Sequence, residues 1–177
     1  MKKLTYSFLA SAALATSAFA GHEAVVSKEY KAPAPEPCFR DSEFQLDVFG
    51  SYSGASSNEV IGDGWGGGIG VNYFFTRNIG IAASGNVYDG THDGIWHTDL
   101  DVVIRFPMEG SVCIAPYIQG GGGILTDGTT VGTWNAGAGL EWRATPTFGI
   151  FGEGRYIWAA GNSTDSAQAR VGLRFVF

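Results

Sequence analysis

Cysteine and histidine are scarce in this chain, at two and three residues of 177. A disulfide-dense scaffold and a Cys/His zinc module are thereby excluded. Basic residues are few as well, 11 Lys and Arg against 17 Asp and Glu. A chain so short of positive charge is no partner for nucleic acid. Beyond residue 20 no stretch reaches the roughly 18 consecutive apolar residues that mark a helical span. Stretches rich in Leu, Glu and Lys, the usual material of helices, are also missing. What the chain has instead is Gly, at 27 residues, and aromatics, at 14%. With period-two patterning, these indicate an all-β domain.

The amino terminus sets the compartment. Lys2 and Lys3 precede an apolar run from Leu4 to Phe19, closed by Ala18-Phe19-Ala20 before Gly21. Residues 1–20 therefore read as a cleaved secretory signal. The run is interrupted by Thr5, Ser7, Ser11, Thr16 and Ser17, which makes it a poor membrane helix, and no Cys follows the cleavage site to carry a lipid. Cleavage removes two Lys and no acid, leaving 9 basic and 17 acidic residues, a net charge of −8. Residues 21–41 follow as a Pro-rich periplasmic leader, with Pro33, Pro35 and Pro37 at alternate positions. An extended spacer is expected there, and a proline-recognition ligand is the alternative.

From residue 42 to 177 one barrel domain is expected. Strands are placed over 43–53, 64–75, 79–88, 95–106, 112–122, 133–144, 148–159 and 168–177, each about the 9–11 residues of a tilted membrane strand. Connections at 76–78, 107–111 and 145–147 are short; those at 54–63, 89–94, 123–132 and 160–167 are longer and rich in Gly, Asp, Asn, Ser and Thr. Short turns at one end and longer loops at the other form the outer-membrane pattern.

Alternation assigns two faces. One carries residues such as Phe44, Leu46, Val48, Tyr52, Trp65, Ile69, Val71, Trp96, Leu100, Val102, Trp134 and Leu140. The other carries Gln45, Asn72, His97, Asn135 and Gln168 together with ten charges: Asp47, Asp99, Asp101, Glu141 and Glu153 against Arg105, Arg143, Arg155, Arg170 and Arg174. An Arg facing mid-bilayer lipid costs about 2–4 kcal/mol. With five of them, the inverted assignment is untenable, so the charged face points inward and neutralises itself by pairing. Phe49, Phe74, Val103, Phe151 and Val176 are apolar residues on this charged parity.

With the amino terminus in the periplasm, Tyr52, Trp65, Trp96, Trp134 and Trp158 fall near the outer interface. Tyr73, Phe75, Phe106, Trp142, Phe148, Phe175 and Phe177 fall near the inner one. Two aromatic girdles are what a membrane barrel requires; a soluble lipocalin-like barrel shares the alternation but needs neither.

The segments Tyr73-Phe74-Phe75-Thr76-Arg77-Asn78, Ala115-Pro116-Tyr117-Ile118-Gln119 with Gly120 to Gly123, and the ending Ala169-Arg170-Val171-Gly172-Leu173-Arg174-Phe175-Val176-Phe177 resemble the small outer-membrane barrels of the OmpA transmembrane-domain and OmpX type. The resemblance covers residues 42–177. It implies a closed antiparallel eight-stranded barrel with a polar, side-chain-filled interior, and outer-membrane lipid as its surroundings. It also implies that Val171, Leu173, Phe175 and Phe177 are the signal read by the barrel-assembly machinery. Full-length OmpA proteins continue into a peptidoglycan-binding domain; this sequence has none after its last strand, so wall tethering is not implied.

Chemistry is sparse. Gly62 to Gly70 and Gly120 to Gly123 lead into neither a helix nor a Gly-Lys-Ser/Thr sequence, so they read as strand glycines, not phosphate cradles. His92 and His97 with Asp93 and Asp99 match no metal spacing, and neither metal nor cofactor is expected. The leading reading is a non-enzymatic envelope barrel. The alternatives are a surface binder acting through Glu59, Asp63, Asp89, Asp93, Asp127 and Asp165, with its ligand unidentified, and a lipid A-modifying enzyme. Against the enzyme, no Ser-His pair lies on the outward parity.

Cys38 and Cys113 both fall at the periplasmic end. A bond between them is expected, closing a loop long enough to stabilise by up to about 4–5 kcal/mol on the chain-entropy model. Strands one and five stand on opposite sides of such a barrel, so the leader has to cross its base. A free Cys113 and an intermolecular bond through Cys38 are the alternatives.

Overall fold

The computed structural model describes residues 37–55, 64–89, 94–108, 110, 112–161 and 165–177. Eight strands run in order: β1 (Glu43–Ala55), β2 (Gly64–Phe74), β3 (Ile79–Tyr88), β4 (Ile95–Arg105), β5 (Cys113–Asp127), β6 (Thr129–Thr145), β7 (Phe148–Ala159) and β8 (Ser166–Val176). Each pairs antiparallel with its sequence neighbours, and β8 returns to β1 to close the barrel. Val48 sits opposite Ile69 of β2 on one side and Leu173 of β8 on the other. Past the last strand, the Phe177 amide donates to the Phe44 carbonyl at 2.9 Å. Closure leaves no unpaired edge, the condition for placing backbone polar groups in hydrocarbon.

Period-two chemistry and closure together dictate the two surfaces. Along β4 and β8 burial alternates without a fault. Trp65, Ile69, Trp96, Leu100, Trp134 and Val171 are exposed outward, whereas Arg105, Glu141, Asp101 and His97 are fully buried inside. The usual order of a water-soluble domain is reversed, as a lipid environment requires.

Strand limits differ from the sequence expectation in one place that matters. The loop expected over 123–132 does not exist. β5 runs to Asp127 and β6 starts at Thr129, joined through Gly128 at φ 70°. Asp-Gly is a hairpin signal because Gly adopts positive φ without steric cost; the polar cluster around it masked the turn. Elsewhere the ends move by one or two residues, β1 extending to 55 and β8 starting at 166. Glu59, Asp63, His92 and Asp93, the signal expected over 1–20 and the leader up to residue 36 lie outside the described residues.

Small residues make the lumen narrow. The lumen positions of β2 from Gly64 to Gly70 carry no side chain, so β1 reaches β3 directly: the Ser51 hydroxyl donates to Asn86 Oδ1 at 3.0 Å. On β5, a Cβ at Gly121 would run into the Leu100 carbonyl and the Asp101 side chain. Gly121→Val is therefore expected to destabilise the barrel by about 1–3 kcal/mol through overpacking. A lowered guanidinium midpoint of the micelle-bound protein would show it; an unchanged midpoint would mean that β4 and β5 are not so closely apposed.

Candidate functional site

The lumen is the site on which the charged residues converge. At the rim where β1 begins, Glu43 accepts from Arg105 at 2.7 Å and from both terminal nitrogens of Arg143 at 2.8 and 2.6 Å. Gln45 adds a third donor at 2.6 Å. Arg143 also reaches Glu141 at 2.6 Å. Glu141 then accepts from Arg174 at 2.7 Å, and Arg174 forks onto both oxygens of Asp47 at 2.8 and 2.7 Å. Asn72 completes Asp47 at 2.8 Å. The planar guanidinium is suited to this bridging because its donors diverge in a fixed fork.

Midway up, Arg155 and Arg170 share two acids. Arg155 donates to Glu153 at 2.7 Å and to Asp99 at 3.0 Å, and it stands 3.5 Å from Asp101. Arg170 donates to Asp99 at 3.2 Å and to the Ser84 hydroxyl at 2.9 Å. Tyr117 donates to Glu153 at 2.8 Å, and Asn135 to Asp101 at 2.8 Å. Higher still, His97 lies 3.6 Å from Asp99 and 3.2 Å from the Thr133 hydroxyl. It is fully buried beneath Tyr88, Ile95 and Leu125.

The ten charged residues expected in the lumen stand there in two hydrogen-bonded clusters, which meet where the Arg174 guanidinium lies over the Tyr117 ring at 5.8 Å. Sequence reading missed an eleventh, Glu43, which shares the parity of Gln45 and Asp47 but lies next to the leader. Six carboxylates thus face five guanidiniums. Three of the five apolar exceptions on this parity also find a reason: Phe74 stacks on Arg105 at 3.7 Å, Phe49 on Arg170 at 4.6 Å and Phe151 on Arg174 at 4.7 Å. Aromatic faces hold the guanidinium planes by cation–π attraction.

The base of the barrel is closed by the chain itself. Cys38 and Cys113 form a disulfide with Cα atoms 6.0 Å apart, the pairing expected. Between this bond and β1, Phe39 is 2% exposed, lying 4.3 Å from the Arg143 guanidinium and 5.0 Å from that of Arg105. Arg143 donates to the Cys38 carbonyl, and Arg105 to the Arg40 carbonyl at 3.2 Å. Ser42, at φ 53°, turns the chain from its crossing of the base into β1. Phe39 is a second residue that sequence reading missed, because it follows a Pro-rich spacer.

Of the loop acids, Asp165 accepts from the Ala159 amide at 3.1 Å, capping its own connection, and Asp89 is exposed. Val171, Leu173, Phe175 and Phe177 all face outward. No group of three or more metal-ligating side chains occurs among the described residues.

An apolar exterior around a charged, filled lumen in a closed eight-stranded barrel defines the fold class of the small transmembrane β-barrels. Solved structures agree. The chain is similar to the N-terminal β-barrel domain of Pseudomonas aeruginosa OprF, at 21% identity and TM-score 0.62 over 78% of this chain and 99% of that one. It is also similar to Neisserial surface protein A, at 14% identity and TM-score 0.55 over 76% and 96% of the two chains. Ail, the attachment invasion locus protein of Yersinia pestis, matches at 15% identity and TM-score 0.54 over 77% and 99%. The fold is that of the small outer-membrane barrels. Residues 1–61 match the family model described as Arabinogalactan protein 40, a stretch that includes only the first strand and leaves the rest of the barrel uncovered. No curated protein matches the sequence.

Proposed function

We propose that this chain is a non-enzymatic integral barrel of the bacterial outer membrane that contributes to envelope structure, exported by a signal over residues 1–20. The observation that carries the reading is the blocked lumen. Two stacked clusters of paired side chains fill it from Glu43 to His97, and the cavity between them lined by Asp47, Asp99, Glu153 and Arg170 among others measures only about 20 Å³. That is no path for a solute, in keeping with the general rule that eight strands leave room only for side chains. Outer-membrane lipid is the partner of the exterior, and the outward Val171, Leu173, Phe175 and Phe177 suit the assembly signal of related barrels.

The test is made on protein folded into phospholipid vesicles. A heat-modifiable band, β-type circular dichroism and no steady conductance in planar bilayers are expected. A soluble periplasmic product, or large stable conductance steps, would overturn the reading.

One observation favours a second reading, surface binding: the β5–β6 hairpin carries its turn at Gly128 beyond the partners of both neighbours, β4 pairing only to Thr126 and β7 only from Thr133. Ail has been solved with the heparin analogue sucrose octasulfate. The acidic loops expected here do not suit a sulfated ligand, so any partner of this chain differs in chemistry. Loss of cell-surface attachment on removing residues 127–131, with the barrel intact, would support binding.

A further inference from the structure

We propose that Cys38, Phe39 and Arg40 form a stopper for the lower mouth of the barrel and that the Cys38–Cys113 disulfide is its redox latch, so that reduction unseats the stopper while the barrel stays folded. The compartment assumed, a periplasm supplied with dithiol reductants, rests on the function proposed above.

The stopper and the barrel are held by different means. Every strand is paired on both sides, and none of that pairing passes through Cys38. The stopper is seated by one buried ring, by carbonyls at Cys38 and Arg40 that accept from Arg143 and Arg105, and by the Arg40 amide, which donates to Glu43 at 3.2 Å. These few contacts oppose the conformational entropy of ordering a segment with no strand neighbour. The bond tips the balance because it ties Cys38 to β5, across the mouth from β1, and makes reseating of Phe39 an intramolecular event.

Both cysteines are only half-buried, so the bond lies at the rim within reach of a reductant. The exchange balances. A thiolate of the dithiol attacks one sulfur, a mixed disulfide forms, and the other cysteine leaves as thiolate and takes up a proton. The second thiol of the reductant then releases the first cysteine. Two electrons and two protons pass to the protein, and the reductant becomes a disulfide. The arginines stay paired with Glu43 and Glu141 after release, but the Phe39 ring no longer keeps water from them.

Hydrogen exchange on the full mature chain in detergent micelles, oxidised and after dithiothreitol, tests this. Peptides over residues 38–42 should exchange at least tenfold faster after reduction, with the strands as protected as before and the heat-modifiable band retained. Cys38→Ser with Cys113→Ser should match the reduced protein without reductant. Phe39→Ala should loosen the same peptides with the bond intact. Unchanged exchange over 38–42 after the mass shows the bond broken would overturn the stopper. Loss of strand protection on reduction would instead make the bond a staple of the whole barrel and overturn the latch. Free thiols in protein taken from the envelope would overturn both. Conductance and heat-modifiability of the oxidised protein test the barrel function separately, and their failure leaves these readouts standing.

Discussion

Replacing Glu141 with alanine is expected to lower the barrel's unfolding free energy by about 3–5 kcal/mol, the usual cost of removing one partner from a buried ion pair. Glu141 is fully buried and receives Arg143 at 2.6 Å and Arg174 at 2.7 Å, so its loss leaves two guanidiniums short of a partner in a water-poor lumen. Arg143 retains Glu43, and Arg174 retains Asp47, which keeps the effect short of complete unfolding. Guanidinium titration in micelles, followed by tryptophan fluorescence, gives the midpoint shift. Combining Glu141→Ala with Glu43→Gln should cost an amount different from the sum of the two, because both acids act on Arg143. Independent, small effects would mean that the network is wet and loosely paired.

The second large effect concerns the outside. Leu100 is 61% exposed at the middle of β4, whereas Ile79, 49% exposed, opens β3 at the lower rim. Leu100→Arg should cost about 2–4 kcal/mol in a bilayer, and Ile79→Arg only about 0–1, since the penalty falls toward the interface. In a water-soluble barrel both would be nearly neutral. Equal small costs in vesicles would overturn the membrane assignment; a steep difference fixes the depth of β4.

How much of this was legible in the sequence follows from where chemical contrast coincides with strand period. On β4 every second residue from His97 to Arg105 is polar except Val103, and the alternates Trp96 to Phe106 are apolar except Thr98, so face and strand were both readable. The span 123–132 was not: glycines and threonines satisfy a loop and a strand equally, and only pairing, Leu125 against Val131, decides between them. Glu43 carried the parity signal but stood at a boundary. Phe39 had no local signal at all, since its partners Arg105 and Arg143 lie more than 60 residues away and meet it only when the barrel closes. The stacking of Phe49, Phe74 and Phe151 on guanidiniums was equally invisible, because a period of two shows which side a ring faces and not what it faces.

The disulfide joins residues 75 apart, and the ring of chain it closes holds β1 to β4. A pull applied ahead of Cys38 therefore bypasses those four strands and arrives at Cys113, the first residue of β5. In a barrel without the bond, tension on the amino terminus would enter at β1 and load its ladders with β2 and β8. Here the force enters β5, which shares its longest ladder with the 17-residue β6, and loads that ladder and the one with β4. Mechanical resistance to traction from the periplasmic side is thus set by the middle of the sequence, not by its first strand.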